Sequence, residues 1–132
     1  MGLTIADNYY LKAKGSISGF YSDWSEACES LNYALSYDKS HCPSLCLLAK
    51  IYVEYMGEFD KAFECYDKVI SSNPDYKDVY PSYIMHLIWA DENERAEKLI
   101  DFALTIKGID NARLGWLSSY ICLLYTSDAA DE

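Results

Sequence analysis

The stretch EFDKAFECYDKVI at residues 58–70 decides the fold. Its apolar side chains Ala62, Tyr66, Val69 and Ile70 fall at positions i, i+4, i+7 and i+8, which is the spacing of one apolar stripe along an α-helix. The pattern therefore predicts an amphipathic helix that packs this stripe against another element and turns its charged face to water.

The same pattern occurs twice more, around Ala27 and Ala96. The three alanines are separated by 35 and then 34 residues, and the apolar residues that follow keep the same offsets. These are Leu31, Ala34 and Leu35 after the first alanine, and Ile100, Ala103 and Leu104 after the third. Three stripes at a fixed period indicate a helical repeat. An alanine at the head of each stripe allows a second helix to cross closely.

A second apolar segment precedes each stripe, so the helices are expected in pairs. Gly57 marks the turn within the second pair, and Asn73-Pro74 follows the end of its second helix. The first helices are predicted at about 5–20, 43–55 and 78–90, and their partners at about 24–37, 59–72 and 93–107. A further helix near 111–125 has no predicted partner.

This arrangement resembles the tetratricopeptide repeat (TPR), a helix-turn-helix unit of about 34 residues. The middle copy carries one extra residue around Tyr55-Met56, and the third departs from the signature at Ile84 and Asn93. The matching positions are Leu48, Ala49, Tyr52, Gly57, Phe59, Ala62, Tyr66, Val69 and Pro74 in the middle copy, and Gly15, Trp24, Ala27 and Ala34 in the first.

The resemblance implies an all-α fold, a right-handed superhelical α-solenoid of about three helix-turn-helix repeats plus one unpaired C-terminal helix. The TPR domain would span 4–121, with repeats at about 5–39, 42–74 and 77–108 and a half-repeat at 111–125. Its structural positions would be the repeat alanines Ala27, Ala62 and Ala96, together with Gly15, Ala49, Gly57 and Pro74.

Residues 122–132, CLLYTSDAADE, do not continue the repeat. They resemble the conceptual translation of a sequencing adapter, so we expect this segment to be a non-native tail. The half-repeat before it lacks a second helix. We therefore expect one side of Leu114, Leu117, Ile121 and Leu124 to be uncovered and the chain to self-associate through this helix.

Charge and composition argue against several functions. The net charge of −10 repels phosphate backbones, so no nucleic acid partner is expected. It also disfavours the pentatricopeptide RNA binders, which share the helix pairs but require a basic groove. No segment reaches the roughly 20 apolar residues of a membrane-spanning helix. The five cysteines lack C-x-x-C spacing and are expected to be thiols of a cytoplasmic protein.

Neither a catalytic site nor a metal or cofactor site is predicted. The nearest approach to a metal cluster is His41, Cys42 and Cys46, which offers no evident fourth ligand. His86 lies in an apolar helix and is interpreted as a core or groove histidine. No phosphate loop, nucleophile elbow or zinc-protease motif occurs in the sequence.

Proteins of the TPR family bind partners on a concave face lined by the first helix of each pair. Carried over to this chain, the resemblance gives a mixed groove with large anchors, which suits a peptide or helix. Its residues would be Tyr9, Lys12, Ser16, Lys50, Glu54, Met85, Trp89 and Trp116.

The function expected from these residues is that of a non-catalytic protein–protein interaction scaffold. The alternative is that the repeats form the sensing or interaction arm of a larger regulator or enzyme, with an effector domain that lies outside this fragment. A longer reading frame that carries a second fold would distinguish the two.

Overall fold

The computed structural model describes residues 2–19 and 22–130, and within them all regular structure is helical. The expectation of an all-α fold is confirmed for these residues. Contacts divide the chain into an N-terminal unit, Met1–Tyr76, and a C-terminal unit, Lys77–Glu132. The helices are α1 (Ile5–Ser18), α2 (Trp24–Tyr37), α3 (Cys42–Ile51), α4 (Phe59–Ser72), α5 (Val79–Trp89), α6 (Asn93–Ala103) and α7 (Asn111–Ala130).

Local hydrogen bonds explain where the first two helices begin. Thr4 and Asp7 form a capping box at the start of α1, in which each side chain accepts from the backbone N–H of the other residue. Asp23 caps α2 through a single hydrogen bond, in which its carboxylate accepts from the backbone N–H of Glu26 at 2.9 Å.

The N-terminal unit is built from two helix pairs, α1 with α2 and α3 with α4. Ala27 and Ala62 are fully buried at the heads of their stripes, and their small side chains let the paired helices approach. Gly15 stays a predicted repeat position of α1. Gly15 is exposed, and a Cβ added there would meet no described atom within 4 Å. The buried small residues of this helix are Ala6 and Ala13.

A π-helical turn, Tyr52–Met56, connects α3 to the turn before α4. It coincides with the place where the middle copy carries its extra residue. A π-turn accommodates one inserted residue without rotating the rest of the helix. Gly57 then ends the helix in the left-handed conformation, with φ at 66°, and the Glu58 N–H donates to the carbonyl of Tyr52 at 2.8 Å.

The C-terminal unit packs α5 against α6 and places α7 against both. Ala96 is fully buried at the head of the third stripe. The stripe is shorter than predicted, because α6 ends at Ala103 and Leu104 lies in the cap with 49% of its surface exposed. Asp91 precedes α6 and adopts a positive φ of 61°, at the turn position that Gly57 occupies in the middle repeat.

The expected exposure along α7 is corrected by the structure. Leu114, Leu117 and Ile121 are almost completely buried, because this face of α7 packs on α5 and α6. The large exposed side chains lie on other faces of the helix. The helix itself continues past Cys122 as far as Ala130. The assignment of residues 122–132 as a non-native tail stays a prediction.

Candidate interaction surfaces

The predicted groove residues of the N-terminal unit differ in their surroundings. Lys12, Lys50 and Glu54 are exposed and available to a partner. Ser16 is half-buried, and its hydroxyl donates to the carbonyl of Lys12 at 3.1 Å. The ring of Tyr9 instead packs against α2, where it stacks on two tyrosine rings.

In the C-terminal unit the predicted groove residues include two exposed tryptophans. Trp89 of α5 contacts His86 with a ring-centroid separation of 5.2 Å. Trp116 of α7 stacks on Tyr120 at 5.5 Å and has 56% of its surface exposed. Met85 is half-buried. A single groove formed by all eight residues stays a prediction.

A stack of three tyrosines lies on the face of α1 and α2. The ring of Tyr9 stacks on Tyr33, with centroids 5.4 Å apart, and on Tyr37, with centroids 6.0 Å apart. Tyr33 and Tyr37 are 50% and 60% exposed. We call these three rings the tyrosine stack. Sequence reasoning missed it, although a signal was present, because Tyr33 and Tyr37 lie at i and i+4 and off the predicted stripe.

Two open clefts border the tyrosine stack. The smaller has a volume of about 280 Å³, and Tyr37 forms part of its wall together with Ile5 and Asp38. The larger has a volume of about 550 Å³, and its wall includes Tyr33, Cys28 and Glu29. We call them the Asp38 cleft and the Glu29 cleft.

A chain of polar groups links the start of α1 to the start of α3. Asp7 Oδ1 accepts from Nε2 of His41 at 2.6 Å, and His41 Nδ1 lies 2.7 Å from the hydroxyl of Ser44. Because a carboxylate only accepts, Nε2 carries the proton of the bond to Asp7. Ser44 is fully buried, so this Asp-His-Ser chain joins two helices rather than presenting a nucleophile to a substrate.

The electrostatics of Asp7 follow from that chain. The hydrogen bond from His41 lowers the pKa of the Asp7 carboxyl below its usual value of 3.8, and the hydrogen bonds from Thr4 lower it further. Both partners favour the ionised carboxylate.

Three cysteines of the helix pairs, Cys28, Cys42 and Cys65, are poor nucleophiles. Burial raises the pKa of the Cys65 thiol to about 11 and raises the pKa of Cys28 and Cys42 as well. These thiols are therefore protonated at neutral pH, whereas a metal ligand or nucleophile must be a thiolate. Among the described residues, no group of three or more His, Cys, Asp or Glu side chains could hold a metal ion.

The described helices differ from membrane-spanning segments. None of them combines the length and the apolar character needed to cross a bilayer.

Comparison with known proteins identifies the type of fold. No protein-family model matches the sequence, and no curated protein matches it. Among solved structures, the crystal structure of MamA is similar, with a TM-score of 0.65 and 28% sequence identity. The match covers 76% of this chain and 57% of the MamA chain. MamA contains TPRs. The chain therefore has a helical-repeat fold of the TPR type.

Proposed function

We propose that this chain is a non-catalytic interaction scaffold that binds a peptide or helix of a partner protein along the first helices of its pairs. The observation that carries the proposal is the TPR-type fold shared with MamA. Stacked helix pairs present extended surfaces that suit elongated ligands.

Side chains on the first helices supply what such binding requires. Trp89 and Trp116 are exposed aromatic anchors on α5 and α7, and large aromatic residues dominate the energetics of protein interfaces. Lys50 and Glu54 add exposed charges of both signs at the end of α3 and in the π-turn. A role as the arm of a larger regulator, and a cytoplasmic location, stay predictions.

Site-specific photo-crosslinking in cells tests this proposal. A photoreactive amino acid placed at Lys50, Glu54 or Trp89 should capture the same partner protein. The matched controls are Asp60 and Glu97, which are also exposed but lie on the second helices α4 and α6. Equal capture from the control positions, or no capture from the first helices, would contradict binding along the first helices.

A further inference from the structure

Another cleft of the N-terminal unit is lined by cationic and hydroxyl side chains. It lies between the loop that joins α2 to α3 and the last turns of α4, and its volume is about 480 Å³. We call it the lysine–serine cleft. Two ammonium groups and one carboxylate give its wall a positive formal charge, although the chain as a whole carries −10. The wall is formed by Lys39, Ser40, Asp67, Lys68, Ser71 and Ser72.

Helix packing explains why the loop and the end of α4 meet. The helix α3 packs on both α2 and α4. Because a tight turn joins α3 to α4 as an antiparallel pair, the start of α3 lies beside the end of α4. Local hydrogen bonds hold the loop in place, since the Ser40 N–H donates to the Asp38 carboxylate at 3.1 Å and the Ser40 carbonyl accepts from the Cys42 thiol at 3.5 Å. The loop side of the cleft is therefore formed before a ligand binds.

The side chains of α4 enter the cleft from one flank of the helix. Asp67 and Ser71 are one helical turn apart and share this flank. Lys68 and Ser72 are spaced in the same way beside them. The cleft thus runs along the side of α4 and not across its C-terminal tip, where the partial negative charge of the carbonyl groups disfavours an anion. The Ser72 hydroxyl donates to the carbonyls of Lys68 and Val69, at 3.0 and 3.3 Å, so it is engaged by the helix itself.

Four donor groups of the cleft are available to a ligand. Within the part of the chain that the structure describes, the ammonium groups of Lys39 and Lys68 form no ion pair. The side-chain hydroxyls of Ser40 and Ser71 form no hydrogen bond to these residues. Two like charges on one cleft repel each other, and an anion between them turns this repulsion into attraction.

We infer that the lysine–serine cleft binds a phosphate group, as the free ion or on a phosphorylated side chain. A phosphate ester carries a charge of about −1.5 to −2 at pH 7 and three strong acceptor oxygens. Because these oxygens point in several directions, the loop and α4 can donate to the same group from two sides. A carboxylate has two oxygens in one plane and reaches fewer of the donors. The site uses none of the predicted groove residues and goes beyond the proposed function.

Nuclear magnetic resonance of the full chain, labelled with nitrogen-15, tests the inference. Inorganic phosphate is titrated to about 20 mM at constant ionic strength, because salt screens exposed ammonium groups, and acetate is the planar control anion. We expect the amide signals of Ser40 and Ser71 to shift and saturate, with an affinity for phosphate about fivefold or more above that for acetate. Equal affinities, or scattered shifts that do not saturate, would overturn the site.

A charge variant locates the binding. Lys39→Gln with Lys68→Gln should weaken the affinity for phosphate by about tenfold or more. The matched control, Lys14→Gln with Lys98→Gln, removes the same charge from exposed positions on α1 and α6 and should leave the affinity unchanged. Far-UV circular dichroism and the melting temperature establish that both variants fold. Phosphate binding by the folded Lys39/Lys68 variant that equals that of the parent would rule out the cleft.

A second variant changes the affinity in the opposite direction. Asp67→Asn removes the carboxylate from the cleft wall and with it the repulsion of a bound anion. We expect the affinity for phosphate to rise by about twofold or more. Equal or weaker binding by this folded variant would contradict an anion seated beside Asp67.

A short peptide with one phosphoserine distinguishes the two sources of the phosphate group. Tighter binding of this peptide than of inorganic phosphate would identify a phosphorylated side chain as the ligand, whereas weaker binding would identify the free ion. The unphosphorylated peptide is the control, and its competition for the cleft would contradict recognition of phosphate. The crosslinking result at Lys50, Glu54 and Trp89 would stand independently of these outcomes.

Discussion

Two residues in the left-handed conformation end the first helices of neighbouring repeats. Gly57 has φ at 66° and Asp91 has φ at 61°. In each turn the following N–H donates at 2.8 Å to a carbonyl five or six residues earlier, from Glu58 to Tyr52 and from Glu92 to Leu87. The backbone requirement is the same, but only Gly57 meets it without a steric cost at Cβ.

Exchanging these residue types should change stability in opposite directions. We expect Asp91→Gly to raise the free energy of unfolding by about 0.5–1 kcal/mol, because glycine relieves the conformational strain at this position. Gly57→Ala should lower it by about 1 kcal/mol. Urea denaturation of both variants measures the two changes. A destabilised Asp91→Gly variant would show that the aspartate side chain outweighs its backbone strain.

Acid stability should depend on Asp7. Its pKa is lowered in the folded state, chiefly by the hydrogen bond from His41, so the folded state holds this carboxylate ionised more strongly than the unfolded state. The resulting stabilisation is present above about pH 4 and is lost as the pH falls through the lowered pKa. Asp7→Asn should therefore flatten the fall of the melting temperature below about pH 4.

A matched variant isolates this effect from general acid denaturation. Asp60→Asn removes an exposed carboxylate from α4 and changes the net charge equally. Its melting temperature should follow the pH dependence of the parent chain. Identical pH profiles for Asp7→Asn and the parent would show that the bond to His41 does not contribute to acid stability.

At the scale of the helix, the alanine at the head of each stripe determines how closely the two helices of a pair can pack. Ala62 is fully buried in α4. We expect Ala62→Glu to place an unpaired charge in the crossing of α3 and α4 and to cost at least several kcal/mol of stability. The control is Glu64→Ala, an exposed position on the same helix. Thermal melting followed by circular dichroism would contradict this if Ala62→Glu left the transition unchanged.

The π-turn predicts an unusual tolerance to deletion. Removing the exposed residue Glu54 would restore the length of the family's unit, so the helix can continue as an α-helix into Gly57. We expect this deletion to leave the fold intact. Deleting Glu64 from the interior of α4 would instead rotate the following residues by about 100° and disrupt the stripe. Comparable melting of the two deletion variants would argue against the π-turn as the site of the insertion.

The bounds of the helices show how far periodicity and capping predict structure. The predicted partner helices at 24–37 and 59–72 agree with α2 and α4 at both ends, because amphipathic stripes and turn residues delimit them. The predicted helix at 93–107 was too long, since apolar residues after Ala103 continue the pattern without continuing the helix. In α5 nearly every residue is apolar, so the sequence offers no contrast from which to assign its faces.

The candidate surfaces were harder to predict than the helices. The family signature marks Gly15 as a repeat position of α1, whereas the small residues that the structure buries in this helix are Ala6 and Ala13, and the ring of Tyr9 stacks on α2. The rotation of α1 about its axis depends on tertiary contacts such as the stack with Tyr33 and Tyr37. Contacts between side chains far apart in sequence leave no periodic signal.

For the whole molecule, α7 carries the clearest signal for self-association. Trp116 and Leu123 are 56% and 64% exposed, and Tyr120 stacks on Trp116. These side chains lie at i, i+4 and i+7 and form an apolar stripe on the side of α7 away from Leu117. We expect the chain to self-associate at protein concentrations on the order of tens of micromolar.

Sedimentation velocity provides the measurement. Trp116→Ser with Leu123→Ser should shift the chain toward monomer, whereas Trp89→Ser, an exposed tryptophan on α5, should not. Because each copy carries a net charge of −10, salt should strengthen the association by screening the repulsion between copies. A clean monomer at every salt concentration would rule out this role for α7.

The two oxygens of Asp7 have a consequence for how the chain opens. Oδ2 accepts from the Thr4 N–H at the cap of α1, and Oδ1 accepts from His41 at the start of α3. Breaking the first contact releases the carboxylate that holds the second. In native-state hydrogen exchange, the amides that begin α1 should therefore exchange together with those that begin α3. The first helix would then behave as part of one cooperative unit with the second repeat, instead of fraying as an independent terminus.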